Sequence, residues 1–236
     1  MCIRDRDGFL VAHQALWKPR PFTHRTLPWE QQYPELAAWL RSRTLEQAEA
    51  SHNQPAALDS APAPFPELAL QADRLSQIGD LPQQASADLP ARFSVDVPGR
   101  KWQQIRAFGS SLGFAQAPRH WLDWCAGKGH LGRVLAHGVQ KLTCLEYDPA
   151  LVASGAALSQ RLGINAQHIE QDVLAEDAGA LLHAEHSPVA LHACGDLHVR
   201  LMQLASAAGC RHLAIAPCCY NRVAAADYRP LSTAAQ

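Results

Sequence analysis

The sequence predicts an α/β protein in which a parallel sheet follows an irregular, partly helical N-terminal region. From Gly99 onward, short apolar segments of strand length alternate with segments whose apolar residues recur at helical spacing. Strands joined by helical crossovers form a parallel sheet that is covered on both faces. The first 98 residues lack this alternation and are rich in proline. We therefore divide the chain into a region of residues 1–98 and a domain of residues 99–236.

The composition narrows the class of protein. The chain has 236 residues, of which 47% are hydrophobic and 18% are charged, and its formal net charge is −1. These values fit one or two globular domains and exclude a disordered tail, and the seven cysteines lack the spacing of a disulfide framework. The sequence shows neither a membrane-spanning apolar run nor a signal-peptide cleavage pattern. We expect a cytoplasmic protein with no membrane partner.

In the N-terminal region, the first predicted element is a helix that starts just after Pro34. Its buried stripe is predicted to consist of Leu36, Ala37, Trp39, Leu40 and Leu45. Residues 52–66 contain four prolines and little to bury, which predicts a Pro-rich linker. Residues 67–78 are predicted as a second short helix, and residues 81–97 as strand or loop interrupted by prolines.

In the C-terminal domain, strands and helices are predicted in alternation. The strands are residues 120–125, 141–147, 167–171, 189–194 and 211–217. The helices are residues 101–112, 131–137, 149–162, 175–184 and 197–208. The clearest boundary is Asp148 followed by Pro149, because an aspartate cap and a proline at the first helical position both favour a helix start.

A glycine loop follows the first predicted strand. Asp123 lies at the end of this strand, and residues 125–129 (CAGKG) lead into the next helix. Gly127 and Gly129 allow a tight turn and a close approach of the backbone to a ligand. A plain strand-to-helix turn also uses glycine, so the loop alone is weak support for a ligand site.

Acidic residues also end the next two strands. Glu146 lies about 20 residues beyond the glycine loop, where a carboxylate accepts hydrogen bonds from the ribose hydroxyls of a nucleoside cofactor. Asp172 ends the third strand and is placed to meet an adenine amino group, while Val173 packs on the ring. Because ligands of parallel sheets bind at the carboxyl ends of the strands, this order of acids predicts a nucleoside cofactor.

The loop differs from a dinucleotide fingerprint, because Asp123 precedes it and the bulky His130 follows its second glycine. An acid before the loop is suited to an ammonium group, such as that of the amino-acid part of S-adenosyl-L-methionine. The cofactor that we predict from the residues is therefore S-adenosyl-L-methionine.

Several motifs resemble those of the class I S-adenosylmethionine-dependent methyltransferases. They are residues 123–132 (DWCAGKGHLG), Glu146, residues 189–195 (VALHACG) and residues 216–220 (APCCY). The paired HACG and PCCY blocks more narrowly resemble the methyltransferase domain of the glutathione S-transferase C-terminal domain-containing protein and its bacterial relatives. The resemblance covers roughly residues 101–220 and implies a seven-stranded, Rossmann-like sheet.

The resemblance also implies which residues contact the cofactor. It places the methionine part against the glycine loop, the ribose at Glu146 and the adenine at Asp172. The loop residues that it implies for the methionine part are Asp123, Cys125, Gly127 and Gly129.

The candidate catalytic residues lie at the ends of the fourth and fifth predicted strands. His192 and Asp196 are candidate bases for removing a proton from the methyl acceptor. Tyr220 and Asn221 are candidate positioning groups.

Other interpretations of these strand ends stay open. His192 and Cys194 also fit a packing role under the cofactor, since cysteine is among the most buried residue types. Cys218 is a candidate nucleophile, but no adjacent cation lowers its pKa. Lys128 and His130 are either solvated loop residues or groups near the acceptor.

A zinc site formed by Cys194, Cys218, Cys219 and a histidine is a further alternative. Adjacent cysteines in an extended segment point to opposite faces, which disfavours it. We therefore assign no metal.

The expected function is methyl transfer to an acceptor that is a small molecule, a protein or RNA. The cysteine blocks also resemble the tRNA ribose methyltransferases, which makes RNA modification an alternative. The net charge of −1 gives no strong nucleic-acid signal. A local basic cluster consists of Arg100, Lys101, Arg106 and Arg119. A third alternative is a catalytically inactive cofactor-binding or interaction domain.

The sheet is expected to end early. Pro217 is followed by 19 residues, whereas the further helix and two strands implied by the resemblance need on the order of 40 residues. We therefore predict five parallel strands and a methyltransferase domain truncated at its C-terminus. Residues 212–216 would form an open apolar edge, which favours aggregation or pairing with another chain.

Overall fold

The computed structural model describes residues 3–19, 24–52, 54–58, 60–77, 88–138, 140–219, 222–226, 229 and 231–233. The chain forms two compact units, Met1–Asp80 with Ala225–Gln236, and Leu81–Ala224. The boundary at residue 98 stays a prediction. Among the described residues, no helix is long and apolar enough to cross a membrane.

The first unit is helical. Its helices are α1 (Ile3–Ala12), α2 (Gln14–Trp17), α3 (Pro34–Ser42), α4 (Leu45–Ala50) and α5 (Phe65–Ser76). Helix α3 begins at Pro34 as predicted, and Leu36 and Ala37 are buried. Leu45 is not part of its stripe, because Thr44 caps a new helix by accepting a hydrogen bond from the Gln47 N–H at 3.2 Å. Leu45 is therefore 75% exposed, and its predicted burial is wrong.

The predicted linker and its neighbours are partly described. Pro55–Ala57 form a short 3-10 turn within the Pro-rich segment. Helix α5 begins earlier than predicted, with Pro66 in its first turn, where a missing N–H costs nothing. Ile78 and residues 81–87 lie outside the described residues.

The second unit has the predicted alternation of helices and strands. The helices are α6 (Gly99–Ser110), α7 (His130–Leu135), α8 (Pro149–Leu162) and α9 (Asp196–Ala207). The strands are β1 (His120–Trp124), β2 (Lys141–Glu146), β3 (Ala166–Glu170), β4 (His186–Leu191) and β5 (Ala214–Ala216). They form one sheet in the order β3-β2-β1-β4-β5, and every pair is parallel. The α/β, Rossmann-like fold class with five parallel strands is confirmed.

The sheet is buried on both faces because the apolar side chains of its central strands pack into two hydrophobic clusters. Leu122 and Trp124 of β1 pack on one face, while Trp121 packs on the other. This alternation follows from the strand geometry, which points successive side chains to opposite faces. The buried Trp124 indole donates to the Leu197 carbonyl at 3.0 Å, so its polar atom is satisfied as well.

Three predicted elements differ from the structure, and one of them is the last strand, which spans Ala214–Ala216 rather than residues 211–217. Strand β4 ends at Leu191, so His192 begins a loop rather than lying in the strand. The strand starts earlier because the polar His186 and Ser187 pair with β1, which an apolar run does not reveal. The predicted helix at residues 175–184 is a shorter 3-10 helix, Glu176–Leu181, which contains the poor helix former Gly179.

Candidate active site

The carboxyl ends of β1, β2 and β3 surround a cavity of about 390 Å³. Four of the predicted cofactor residues line it, and they are Cys125, Glu146, Asp172 and Val173. The remaining lining residues are Tyr147, Gln171 and Leu197. The cavity lies beside β1, where the strand order reverses, and ligands of open α/β sheets bind at such a position.

The glycine loop is held against β2 by hydrogen bonds. The Gly127 N–H donates to Glu146 Oε2 at 2.7 Å, and the Ala126 N–H donates to the Leu145 carbonyl at 2.9 Å. Cys125, Gly127 and Gly129 all have positive φ, at 55°, 57° and 73°. A non-glycine residue in this conformation costs about 1 kcal/mol, so the turn holds Cys125 under strain.

Glu146 connects the loop to the end of β2. Its Oε1 accepts hydrogen bonds from the N–H groups of Tyr147 and Asp148, at 3.0 and 3.1 Å. The side chain is half-buried and borders the cavity. Because each carboxylate oxygen has two lone pairs, Glu146 keeps acceptor capacity for a hydroxyl group in the cavity.

Asp123 lies beneath the loop and is not among the lining residues of the cavity. It is 2% exposed, and its Oδ2 accepts a hydrogen bond from the Gly132 N–H at 2.8 Å. Burial raises the pKa of Asp123 to about 7, although the Gly132 N–H and the nearby Arg133 charge lower it. Asp123 therefore supports the start of α7, and its contact with an ammonium group stays a prediction.

A buried network under the loop was missed by the sequence analysis. Arg133 is 1% exposed, donates to the Lys128 carbonyl, and contacts His130 Nδ1 through Nη2 at 2.8 Å. Since arginine only donates, His130 Nδ1 accepts, and burial lowers the pKa of His130 to about 4. His130 is 7% exposed, so its interpretation as a solvated residue is wrong. The three-residue spacing of His130 and Arg133 on one helix was the available signal.

The adenine side of the predicted site is built by the turn after β3. The Asp172 side chain is exposed, and its Oδ1 accepts a hydrogen bond from the Leu174 N–H at 2.9 Å. Val173 is buried and packs into the core below the cavity. The Gln171 N–H donates to the Glu146 carbonyl at 2.8 Å, which joins this turn to the end of β2.

His192 lies in the loop after β4 with a φ of 67°. Its side chain is exposed, and Nε2 is 3.1 Å from Gln104 Oε1 of α6. An amide oxygen only accepts, so the proton is assigned to Nε2 and Nδ1 is left as an acceptor. Gln104 was not predicted, because a glutamine on a helix gives no sequence signal for a contact 88 residues away.

Asp196 fixes a neighbouring segment of chain. Its Oδ2 accepts from the Ala224 N–H at 2.7 Å, and its own N–H donates to the Arg222 carbonyl at 3.2 Å. The two predicted positioning groups, Tyr220 and Asn221, lie outside the described residues.

Three cysteines meet at the ends of β4 and β5. The Sγ atoms of Cys194, Cys218 and Cys219 all lie within 4.8 Å of one another, and we call this set the thiol cluster. The expectation that adjacent cysteines point to opposite faces is wrong here, because residues 217–219 lie beyond the end of β5 and are not extended strand.

Within the thiol cluster, Cys194 and Cys218 differ in acidity. Burial raises the pKa of Cys194, but hydrogen bonds from Cys218 and Cys219 outweigh it, and the net pKa is lowered. The same hydrogen bond, with the two Sγ atoms 3.0 Å apart, raises the pKa of Cys218 to about 12. This disfavours Cys218 as a thiolate nucleophile.

The loop that carries Cys194 of the thiol cluster also requires a glycine, at position 195. Gly195 has a φ of 59°, and its N–H donates to the Cys219 carbonyl at 3.0 Å. A Cβ atom at this position would collide with the Arg222 carbonyl. The close packing of these two backbone segments therefore requires glycine on both conformational and steric grounds.

Solved structures give weak similarity. They include TehB from Haemophilus influenzae (12% identity, TM-score 0.34, covering 39% of this chain and 32% of that one). Precorrin 8W decarboxylase from Methanobacterium thermoautotrophicum has 16% identity, a TM-score of 0.34 and coverage of 41% and 53%. The bifunctional kinase-methyltransferase WbdD has 15% identity, a TM-score of 0.33 and coverage of 58% and 30%. The alignments therefore span a third to about half of those chains, and at these scores the likeness carries no functional information.

Sequence comparisons are more informative. A search of curated proteins gives no significant match. The family model described as "Methyltransferase domain" matches residues 100–226, which is more than half of this chain. The match includes the glycine loop, Glu146, the cavity residues and the thiol cluster. The chain therefore belongs to this family of methyltransferase domains.

Proposed function

We propose that this methyltransferase uses S-adenosyl-L-methionine and binds it in the cavity at the carboxyl ends of β1, β2 and β3. The observation that carries the proposal is the lining of that cavity by Glu146, Asp172 and Val173. Its volume of about 390 Å³ lies in the range of roughly 300 to 1,000 Å³ for small-molecule sites. The narrower relationship to the glutathione S-transferase C-terminal domain-containing protein is part of this proposal.

The lining chemistry fits a nucleoside. Glu146 keeps one acceptor position on Oε2 for a ribose hydroxyl, while the loop N–H of Gly127 holds the carboxylate in place. Asp172 offers an exposed acceptor to the adenine amino group, and Val173 supplies apolar surface for the ring. The glycine loop, with Gly127 open to space on its Cβ side, leaves room for the methionine part.

For the chemical step, His192 is the better candidate base. When bound, S-adenosyl-L-methionine supplies a methyl group already activated on a sulfonium sulfur. Gln104 orients the His192 ring through Nε2, so Nδ1 is free to take a proton from an acceptor. Asp196 is the weaker candidate, because its carboxylate already holds the Ala224 N–H. Aligning the acceptor is the main remaining contribution of the protein.

RNA is a second candidate acceptor on one specific observation. Arg100, Lys101 and Arg106 are exposed on α6, the helix whose Gln104 contacts His192. Exposed cations on the helix that contacts the candidate base suit a phosphate backbone. Small molecules and proteins remain in the proposal, since no contact in the cavity selects among them.

The test is transfer of a labelled methyl group. The full chain is incubated with methyl-labelled S-adenosyl-L-methionine and separate pools of RNA, protein and small molecules. Label in one pool supports the proposal and names the acceptor class, with the His192→Asn variant as the matched control. Binding of S-adenosylhomocysteine without label in any pool indicates an inactive cofactor-binding domain. If the protein neither binds S-adenosylhomocysteine nor transfers label to any pool, the proposal is contradicted.

A further inference from the structure

We propose that Cys194, Cys218 and Cys219 bind one zinc ion at the carboxyl edge of the sheet. The three Sγ atoms come from two different loops and meet without any intervening side chain. This inference goes beyond the methyltransferase function and does not depend on which cofactor or acceptor the cavity takes.

The sulfur geometry fits a tetrahedral metal. Zinc–sulfur bonds of about 2.3 Å in a tetrahedron place two sulfur atoms roughly 3.8 Å apart. Here Cys194 Sγ is 3.0 Å from Cys218 Sγ, and Cys218 Sγ is 3.6 Å from Cys219 Sγ. With all three atoms within 4.8 Å, small side-chain rotations bring each pair to the required distance.

The pairing of β4 with β5 brings the three cysteines together beyond the carboxyl ends of these two strands. Strands β4 and β5 are paired in register, with Leu191 opposite Ala216, and the cysteines follow within three residues of these strand ends. The His192 N–H donates to the Ala216 carbonyl at 3.0 Å, so pairing continues past β4. The loops are therefore preorganised by the fold, as a metal site requires.

Neighbouring backbone groups support a charged sulfur. The Cys218 N–H points to Cys194 Sγ at 3.4 Å, and the Gly195 N–H fixes the Cys219 carbonyl at 3.0 Å. Hydrogen bonds of this kind orient metal ligands and tune their basicity. The Arg222 carbonyl packs on Gly195 and accepts a hydrogen bond from the Asp196 N–H at 3.2 Å, which holds the segment that follows Cys219 against the Cys194 loop.

The exposure of the cluster argues against simple packing. Cys194 is buried, but Cys219 is half-buried and Cys218 is exposed. Cysteines that only fill a core are usually buried, whereas the adjacent Cys218 and Cys219 both reach the surface. A set of three soft sulfur ligands selects zinc over magnesium or calcium, which prefer oxygen.

Binding has a defined proton balance. Three S–H bonds break, three protons go to solvent, and three sulfur–zinc bonds form, which leaves a site of formal charge −1. A tetrahedral ion with three protein ligands keeps a fourth position for water or another donor. The exposed side of Cys218 places that position toward solvent.

The first test is metal content. The full chain is produced in zinc-supplemented medium, purified with reductant, dialysed and analysed by mass spectrometry for zinc. We expect about one zinc per chain, and about a tenth of that or less in the Cys218→Ser/Cys219→Ser double variant. The matched control is Cys210→Ser, because Cys210 lies outside the cluster with its S–H on the His183 carbonyl, and it should keep its zinc. Circular dichroism checks that each variant folds.

The second test replaces zinc with cobalt. The proposal predicts a thiolate-to-cobalt charge-transfer band and a visible band of tetrahedral intensity, both lost in the double variant. Equal metal content in wild type and double variant contradicts the proposal, as does a Cys194–Cys218 disulfide in the freshly reduced, zinc-supplied protein. Zinc content should be the same in Glu146→Ala, so a failed cofactor proposal leaves this result unaffected.

Discussion

The parallel sheet has a cavity at the carboxyl ends of its strands, which we call the carboxyl edge, and another at their amino ends, the amino edge. The proposed site is at the carboxyl edge, although its cavity is the smaller of the two. The carboxyl edge holds the cavity of about 390 Å³ with Glu146 and Asp172. The amino edge holds a larger one of about 1160 Å³, lined in part by His186, Ser187 and His212. The proposed ligand site is the smaller cavity, because ligands of open α/β sheets bind outside the carboxyl ends of the strands, at the point where the strand order reverses.

Polar groups at the amino edge bind one another. His120 Nε2 is 2.9 Å from Thr143 Oγ1, and Ser187 Oγ is 3.2 Å from His212 Nδ1. The His120 and His186 rings meet edge to face at 4.3 Å. These polar groups therefore satisfy one another's hydrogen-bonding capacity at the amino ends of the strands.

The carboxyl edge instead carries strain. Among the described residues, Asp96, Cys125 and His192 are the non-glycine residues with positive φ, and the last two follow β1 and β4 at this edge. Strained backbone persists where the surrounding structure holds it, and it clusters at functional sites. The proposed site therefore rests on backbone conformation and on hydrogen-bond acceptors that border the cavity, and not on the size of the cavity.

The largest expected effect is on turnover at the carboxyl edge. Replacing His192 with asparagine, which tolerates the left-handed conformation, should lower kcat by about 10² to 10⁴ while cofactor affinity stays nearly constant. Asp196→Asn keeps an acceptor for the Ala224 N–H and should leave kcat nearly unchanged. Both are measured with the acceptor pool that takes the label. A large loss in Asp196→Asn with full activity in His192→Asn would reverse the two roles.

The next prediction concerns stability, which we expect Gly129→Ala to reduce more than Gly127→Ala does. A Cβ atom at Gly129 would lie 2.8 Å from His168 Cε1 and 2.9 Å from Cys144 Sγ, whereas a Cβ at Gly127 meets nothing within 4 Å. Both have positive φ, so Gly127→Ala should cost about 1 kcal/mol and Gly129→Ala about 2 to 4 kcal/mol in the free energy of unfolding. Urea denaturation measures both, and equal losses would show that the packing under Gly129 is looser than described.

A smaller effect is the loss of folding stability at acidic pH, to which histidines at both edges of the sheet should contribute. Burial lowers the pKa of His130 and His168, under the loop, and of His186, at the amino edge, to about 4 from an ordinary value of 6.5. These histidines stay neutral when folded and take up protons when unfolded, so stability is present above pH 6.5 and falls as the pH drops toward 4. Asp123 opposes this trend, because burial raises its pKa to about 7 and the folded protein keeps that proton.

Single variants can show which histidine is responsible for the pH dependence of the free energy of unfolding. Each histidine contributes a slope of at most about 1.4 kcal/mol per pH unit, and less where water screens the ring. His186→Asn should therefore flatten the dependence of the free energy of unfolding between about pH 4 and 6.5. The exposed His24→Asn should leave it as in wild type. An unchanged slope in His186→Asn would mean that this ring is not kept neutral by the fold.

The predictable parts of the fold are those with local signals. Helix α8 begins at Pro149 as expected, because the Asp148 side chain accepts from the Ala150 N–H at 2.8 Å and Pro149 fits the first turn. The glycine loop and Glu146 were found for the same reason, since a glycine turn and a strand-ending acid are visible in a short window.

The parts that sequence reasoning missed depend on distant contacts. The start of β4 is set by pairing of His186 and Ser187 with β1. The thiol cluster depends on the chain leaving the strand direction after Ala216, and the Gln104–His192 contact joins residues far apart in sequence. None of these follows from periodicity or local propensity, because tertiary packing decides them.

The most direct test of the central claim compares one carboxylate at each edge. Glu146 borders the smaller cavity and Glu185 the larger one. Calorimetry with S-adenosylhomocysteine should show that Glu146→Ala loses about 1.5 to 3 kcal/mol of binding free energy, which is roughly a tenfold to 150-fold rise in Kd. Glu185→Ala should bind as wild type does. An unchanged Kd in Glu146→Ala, or a loss in Glu185→Ala of equal size, would contradict a cofactor site at the carboxyl edge.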